Sequence, residues 1–177
     1  MKKVWKISVA MLFILVVVFV FLYRDALKER ISSLTVRDTD LSQIAYDRMS
    51  LGRKFRNDSS YTEQQSDFPK LTDYNQHGMN AFYVTTNARD DIVGLKLLDR
   101  VPNCHSYFDN GLAMYMTLSK VKHLLGNNYI TFNTEKYGKA AMYIDKKHNY
   151  KLLLGLSDND TVTAIVLFNK TQYDYQY

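Results

Sequence analysis

The chain has 177 residues, 46% hydrophobic and 23% charged, with only two prolines and seven glycines, which allows a packed core and excludes a Pro/Gly-rich linker or a collagen-like design. Its formal charge is +5, but outside Lys2, Lys3 and Lys6 there are 20 Lys/Arg against 18 Asp/Glu, too balanced for a nucleic-acid platform. The single cysteine, Cys104, excludes an intrachain disulfide.

Residues 1–6 read as a short basic tail, expected on the cytoplasmic side. Residues 7–23 are 17 residues without a charge, thirteen of them Val, Ile, Leu or Phe. At ~1.5 Å per residue the run covers about 25 Å of a ~30 Å hydrocarbon core, and Val4, Trp5 and the stems of Lys6 and Arg24 make up the difference. Trp5 and Tyr23 stand where amphipathic rings favour the headgroups. A removable signal peptide shares the basic start and apolar middle, but the exit Phe19-Val-Phe-Leu-Tyr23-Arg-Asp-Ala offers no small-x-small cleavage site. The expectation is an uncleaved single-pass signal-anchor in the cell membrane, with the bilayer as the partner of residues 7–23. Arg24, Lys28 and Arg30 balance the three leading lysines, so a cytoplasmic N-terminus with an extracellular C-terminal domain rests on the free amine and the shortness of the tail. The inverted topology stays open.

Residues 24–33 are charged and helix-compatible, a stalk. Beyond them the sequence reads as two diverged copies of one unit, residues 34–100 and 112–177, with residues 101–111 as connector. Leu41-Ser42-Gln43-Ile44 matches Leu118-Ser119-Lys120-Val121, and Gly52 and Gly126 follow. Phe82-Tyr83-Val84 then aligns with Leu152-Leu153-Leu154, and the run from Ile92 to Leu97 aligns with that from Val162 to Leu167. The polar stretch 53–67 is expected as a loop. In the second copy Leu118, Val121, Leu124 and Leu125 share one helical face, with Thr117 as N-cap and Gly126 as the stop. Residues 141–144, 151–156 and 161–168 read as strands, with a turn at Ser157-Asp-Asn-Asp160 and its counterpart at Asn87-Ala-Arg-Asp-Asp91. The predicted fold class is α+β: a transmembrane helix, then two copies of a helix plus an antiparallel three-stranded meander.

Two stretches, Met116-Thr-Leu-Ser-Lys-Val-Lys-His-Leu-Leu-Gly126 and Asp160-Thr-Val-Thr-Ala-Ile-Val166, resemble a pattern of bacterial extracytoplasmic domains. There a Gly-Met-Thr-led helix ending in Leu-Leu-Gly precedes a three-stranded meander. It occurs in outer-membrane assembly lipoproteins, beta-lactamase-inhibitor-like proteins and Gram-positive membrane-attached domains. This chain departs from it at Tyr115, where the pattern has glycine, and at Asn127, where it has proline. The resemblance implies a fold and a binding or scaffolding role, and it brings no catalytic residues.

The chemistry-bearing residues are sparse. Cys104-His105 is the one pair suggesting a nucleophile, yet sequence neighbours in extended chain point apart. His77, His105, His123 and His148 show no metal-ligand spacing, so neither a metal nor a cofactor is expected. Asp158-Asn159-Asp160 lacks the glycine and distal glutamate of a calcium loop. Asp38, Asp40, Asp90 and Asp91 sit where turns and caps want aspartate. Tyr173, Tyr175 and Tyr177 recur at period two, which puts three rings on one side of an extended segment. They are the candidate partner contact, against a bland reading in which the rings pack locally. The functional expectation is a non-catalytic, membrane-anchored binding or scaffolding protein of the bacterial envelope. Its partner would be an envelope protein or cell-wall material, not nucleic acid. The alternatives are an envelope enzyme using Cys104 and an inverted-topology cytoplasmic regulator.

Overall fold

The computed structural model describes residues 11–15, 17, 18, 34–77, 81–98, 107–173, 175 and 177. The chain divides into two compact units, Met1–Thr35 and Val36–Tyr177. In the first, residues 11–15, 17 and 18 are helical and their side chains exposed. Most of the run 7–23 lies outside the described residues, as do the tail 1–6 and the whole of the stalk 24–33. Among the described residues no helix is long and apolar enough to cross a membrane. The single-pass signal-anchor, the bilayer contact and the cell-membrane location with an extracellular domain therefore have no support in the structure.

The second unit corrects the fold class. Among the described residues 46% are in strands or bridges and 12% are helical, so the architecture is mostly antiparallel β rather than α+β. A small hairpin pairs β1 (Ala45–Tyr46) with β2 (Met49–Ser50). The strands of the main sheet are β3 (Tyr61–Gln65), β4 (Leu71–Gln76), β5 (Phe82–Asn87), β6 (Ile92–Leu98), β7 (Tyr129–Thr134), β8 (Gly138–Asp145), β9 (Tyr150–Leu156) and β10 (Val162–Asn169). Their order is β3-β4-β5-β6-β10-β9-β8-β7. Two consecutive meanders, each of four strands instead of the expected three, thus meet along an antiparallel ladder running from Ala164↔Leu98 to Phe168↔Gly94. Each meander uses only short-range hairpin pairings, and the β6–β10 ladder fuses them into one surface.

The second meander is preceded by α1 (Leu118–Leu125), which Thr117 caps by accepting the Lys120 N–H and which ends at Gly126 with φ 84°. The first meander has no counterpart of this helix at Leu41 to Ile44. Leu41 to Ile44 forms a turn, closed by the Ile44 N–H on the Leu41 carbonyl at 3.1 Å, and leads straight into the β1–β2 hairpin. Four residues with two apolar anchors are too few to repay helix nucleation, and Asp47 and Arg48 at positive φ turn the chain back at once. The polar stretch 53–67 is likewise not all loop. β3 lies within it, and Lys54 bridges to Asp91.

Both faces of the sheet are covered. Phe82, Val84, Leu95, Leu97, Leu152, Leu154, Ile165 and Leu167 line the first face, against Leu118 and Val121 of α1 and against Leu41, Ile44, Phe108 and Leu112 from loops. Val93, Met142, Leu153, Val166 and Phe168 line the second, where Tyr173 and Tyr175 pack. A strand buried on both faces reads as a continuous apolar run, which is how β9 and β10 read.

Candidate functional site

The loop from Asp40 to Arg53 is tied down at both ends. At its start the Leu41 N–H donates to the Asp145 carboxylate at 3.0 Å, and the Thr39 N–H to the Ile144 carbonyl, also at 3.0 Å. At its end the Gly52 and Phe55 N–H groups donate to the Ile92 and Asp90 carbonyls, each at 2.8 Å. Its middle is held where the Asp109 N–H reaches the Ala45 carbonyl at 2.8 Å. Between this loop and the start of β9 lies an open cleft of about 680 Å³, lined by Ser42, Gln43, Arg48, Ser50, Arg53 and Tyr150 among others.

Two details shape the cleft. Gly52 has φ 80°, a left-handed conformation that glycine takes without steric cost, and its backbone lies beside the Tyr150 hydroxyl. The β1–β2 turn, Tyr46-Asp47-Arg48-Met49, is a two-residue loop with φ 47° at Asp47 and 65° at Arg48. Hairpins of this kind favour Asp-Gly or Asn-Gly, because only glycine enters the left-handed region freely. Here arginine takes the second place. Among the described residues neither the Arg48 nor the Arg53 guanidinium forms an ion pair. Burial pushes the Tyr150 phenol above its ordinary pKa, and Asp145 adds to the shift, so the hydroxyl keeps its proton at neutral pH.

Beside the cleft the fold gathers Asp40, Asp145 and His148, whose ligand-type atoms lie within 4.8 Å of one another. These residues could in principle hold a cation, but their bonds describe a clasp. Asp145, 1% exposed, accepts the Leu41 N–H, the His148 N–H at 2.9 Å and His148 Nδ1 at 2.7 Å. Asp40 accepts both the N–H and the hydroxyl of Ser42. Burial pushes the Asp145 carboxyl up, but the bonds from Leu41 and His148 outweigh it and hold it below the usual carboxylate range. The sequence signal for this group was faint. Asp145 and His148 are three apart in a hairpin, and Asp40 is brought in from the far side of the fold.

The candidate contact residues face inward. Tyr173 is 1% exposed and Tyr175 5%, while Tyr177 is half-buried. The Tyr173 ring lies on Gly94, where a Cβ would come within 2.7 Å of it. Its hydroxyl is 3.4 Å from Lys96 Nζ, which pairs with Asp73 at 3.1 Å. Tyr175 bonds the Tyr137 hydroxyl, and Tyr177 accepts from Lys151 Nζ at 3.2 Å. Packed this way, the three rings offer no exposed strip. Cys104 and His105 fall outside the described residues. His77 sits against the Thr62 hydroxyl at the β3 edge, and His123 lies in the last turn of α1. Asp91 accepts from Lys54 Nζ and Asn87 at the β5–β6 turn, and these bonds hold its carboxyl below its ordinary value. Asp160 pairs with Lys139.

With the site in view, comparison with known proteins gives no match: no family model, curated protein or solved structure is similar to this chain.

Proposed function

We propose that this protein is a non-catalytic binding module and that the cleft between the Asp40–Arg53 loop and Tyr150 is its recognition surface. The observation that carries this reading is the make-up of the cleft: an open, partly polar trough on a braced loop, lined by hydrogen-bond donors and cations. Catalysis by proton transfer needs a titratable group poised beside a reacting atom. The nearest perturbed carboxylates, Asp145 and Asp40, are instead occupied by the backbone and side-chain bonds that brace the loop. A small-molecule pocket encloses most of its ligand, whereas an open trough suits an extended chain segment passing through it. The partners expected from the sequence, an envelope protein or cell-wall material, can both present such a segment, and cell-wall material is the one to test first.

The test is co-sedimentation of the full chain with insoluble bacterial cell-wall material. The native protein is expected in the pellet. Gln43→Trp should move it to the supernatant, because Gln43 is exposed in the cleft and an indole there fills the trough without entering the core. Equal pelleting of the native and Gln43→Trp proteins would remove the cleft as the recognition surface.

A further inference from the structure

We propose that the cleft is an anion site, in which Arg48 and Arg53 clasp a phosphate- or carboxylate-bearing segment of the ligand. This rests on the binding reading above and names the chemistry of the same site. Both guanidiniums border the trough, no Asp or Glu is among its lining residues, and neither guanidinium forms an ion pair among the described residues. A guanidinium is a planar fork that meets two oxygens of a phosphate or carboxylate at once. The Ser42 and Ser50 hydroxyls and the protonated Tyr150 phenol supply further donors around the same space.

The turn fixes where the Arg48 side chain leaves the backbone. Arg48 occupies the left-handed position that a hairpin of this type would fill most easily with glycine. Arg48 is one of eight described non-glycine residues at positive φ, and it is the one whose guanidinium borders the trough. The acidic neighbours set a threshold. Asp47 precedes Arg48 in the turn, and the Asp109 carboxylate accepts the Arg48 backbone N–H at 3.3 Å. One arginine beside two carboxylates attracts an anion weakly, so retention requires both arginines.

The experiment is a titration of the isotope-labelled full chain at fixed ionic strength, once with inorganic pyrophosphate and once with citrate, following the backbone amides of Ser42, Gly52 and Arg53. Saturable movement of these amides is expected with at least one of the two. Pyrophosphate alone assigns a phosphate ligand, citrate alone a carboxylate ligand, and both assign the shared charge. Arg48→Gln and Arg53→Gln should each weaken the response at least tenfold, while Lys120→Gln on α1 should leave it unchanged. Linear shifts without saturation, unchanged affinity in either arginine variant, or an equal loss in Lys120→Gln would overturn the proposal. Its failure is separable from that of the binding reading. Wall binding lost in Gln43→Trp but kept in both arginine variants removes the clasp and keeps the cleft.

Discussion

Asp145 shows how one side chain decides the geometry of a site it does not line. It is a buried carboxylate on the last residue of β8, and it is stabilised as the anion by the Leu41 N–H and by His148. A carboxyl whose folded pKa is depressed stabilises the fold above its unfolded pKa, and that stability is lost as the pH falls through the lower, folded value. The native protein should therefore weaken as the pH drops below about 4. Asp145→Asn, which keeps the shape but not the charge, should be less stable at pH 7 by about 1–3 kcal/mol. It should also lose less on going from pH 7 to pH 3. Urea midpoints of both proteins at the two pH values measure this, and parallel losses would show that the charge is not the bracing element. The hairpin arginine is the opposite kind of residue. It contributes nothing to the core and holds a backbone conformation that glycine would adopt more easily.

At the scale of elements, what the sequence displays is what local physics controls. The i, i+3, i+7 spacing of Leu118, Val121 and Leu125, with threonine before and glycine after, marks α1 at both ends. Two turns of helix cannot stand alone, so the cap matters. Thr117→Ala should cost about 1 kcal/mol, read as a lower thermal midpoint, because it leaves the Lys120 N–H without its acceptor. β8, β9 and β10 are visible as apolar runs because both of their faces are buried. β3 is not visible, because four of its five residues are exposed and polar, and only the ladder to β4 makes Tyr61–Gln65 a strand. The match between Leu41-Ser-Gln-Ile44 and the start of α1 misled for a related reason. The same apolar spacing serves a tight turn when the next residues reverse the chain. The cleft escaped detection because its hairpin lacks the glycine that announces such turns, and because Tyr150 joins it from the second meander.

At the scale of the whole molecule, the decisive contact is one that no local pattern encodes: the β6–β10 ladder that merges two meanders into eight strands. It also fixes the environment of the C-terminal tyrosines. Their period-two spacing was legible, but their burial depended on Gly94 being brought beneath Tyr173. Removing residues 173–177 would uncover Val93, Met142, Leu153, Val166 and Phe168. Contiguous apolar surface of that kind drives association. The shortened protein should bind a hydrophobic dye and elute as oligomers in size-exclusion chromatography, whereas a monomer without dye binding would show that the rings are ornamental to the sheet.

That arrangement also has a temporal side. Tyr173 and Tyr175 follow, in the order of synthesis, every strand they cover. At roughly 5–20 residues per second on a ribosome, all eight strands emerge before their lid does. Only the short stretch from Asn169 to Tyr173 separates the last strand from its cover, so that side of the sheet is left wet for less than about a second.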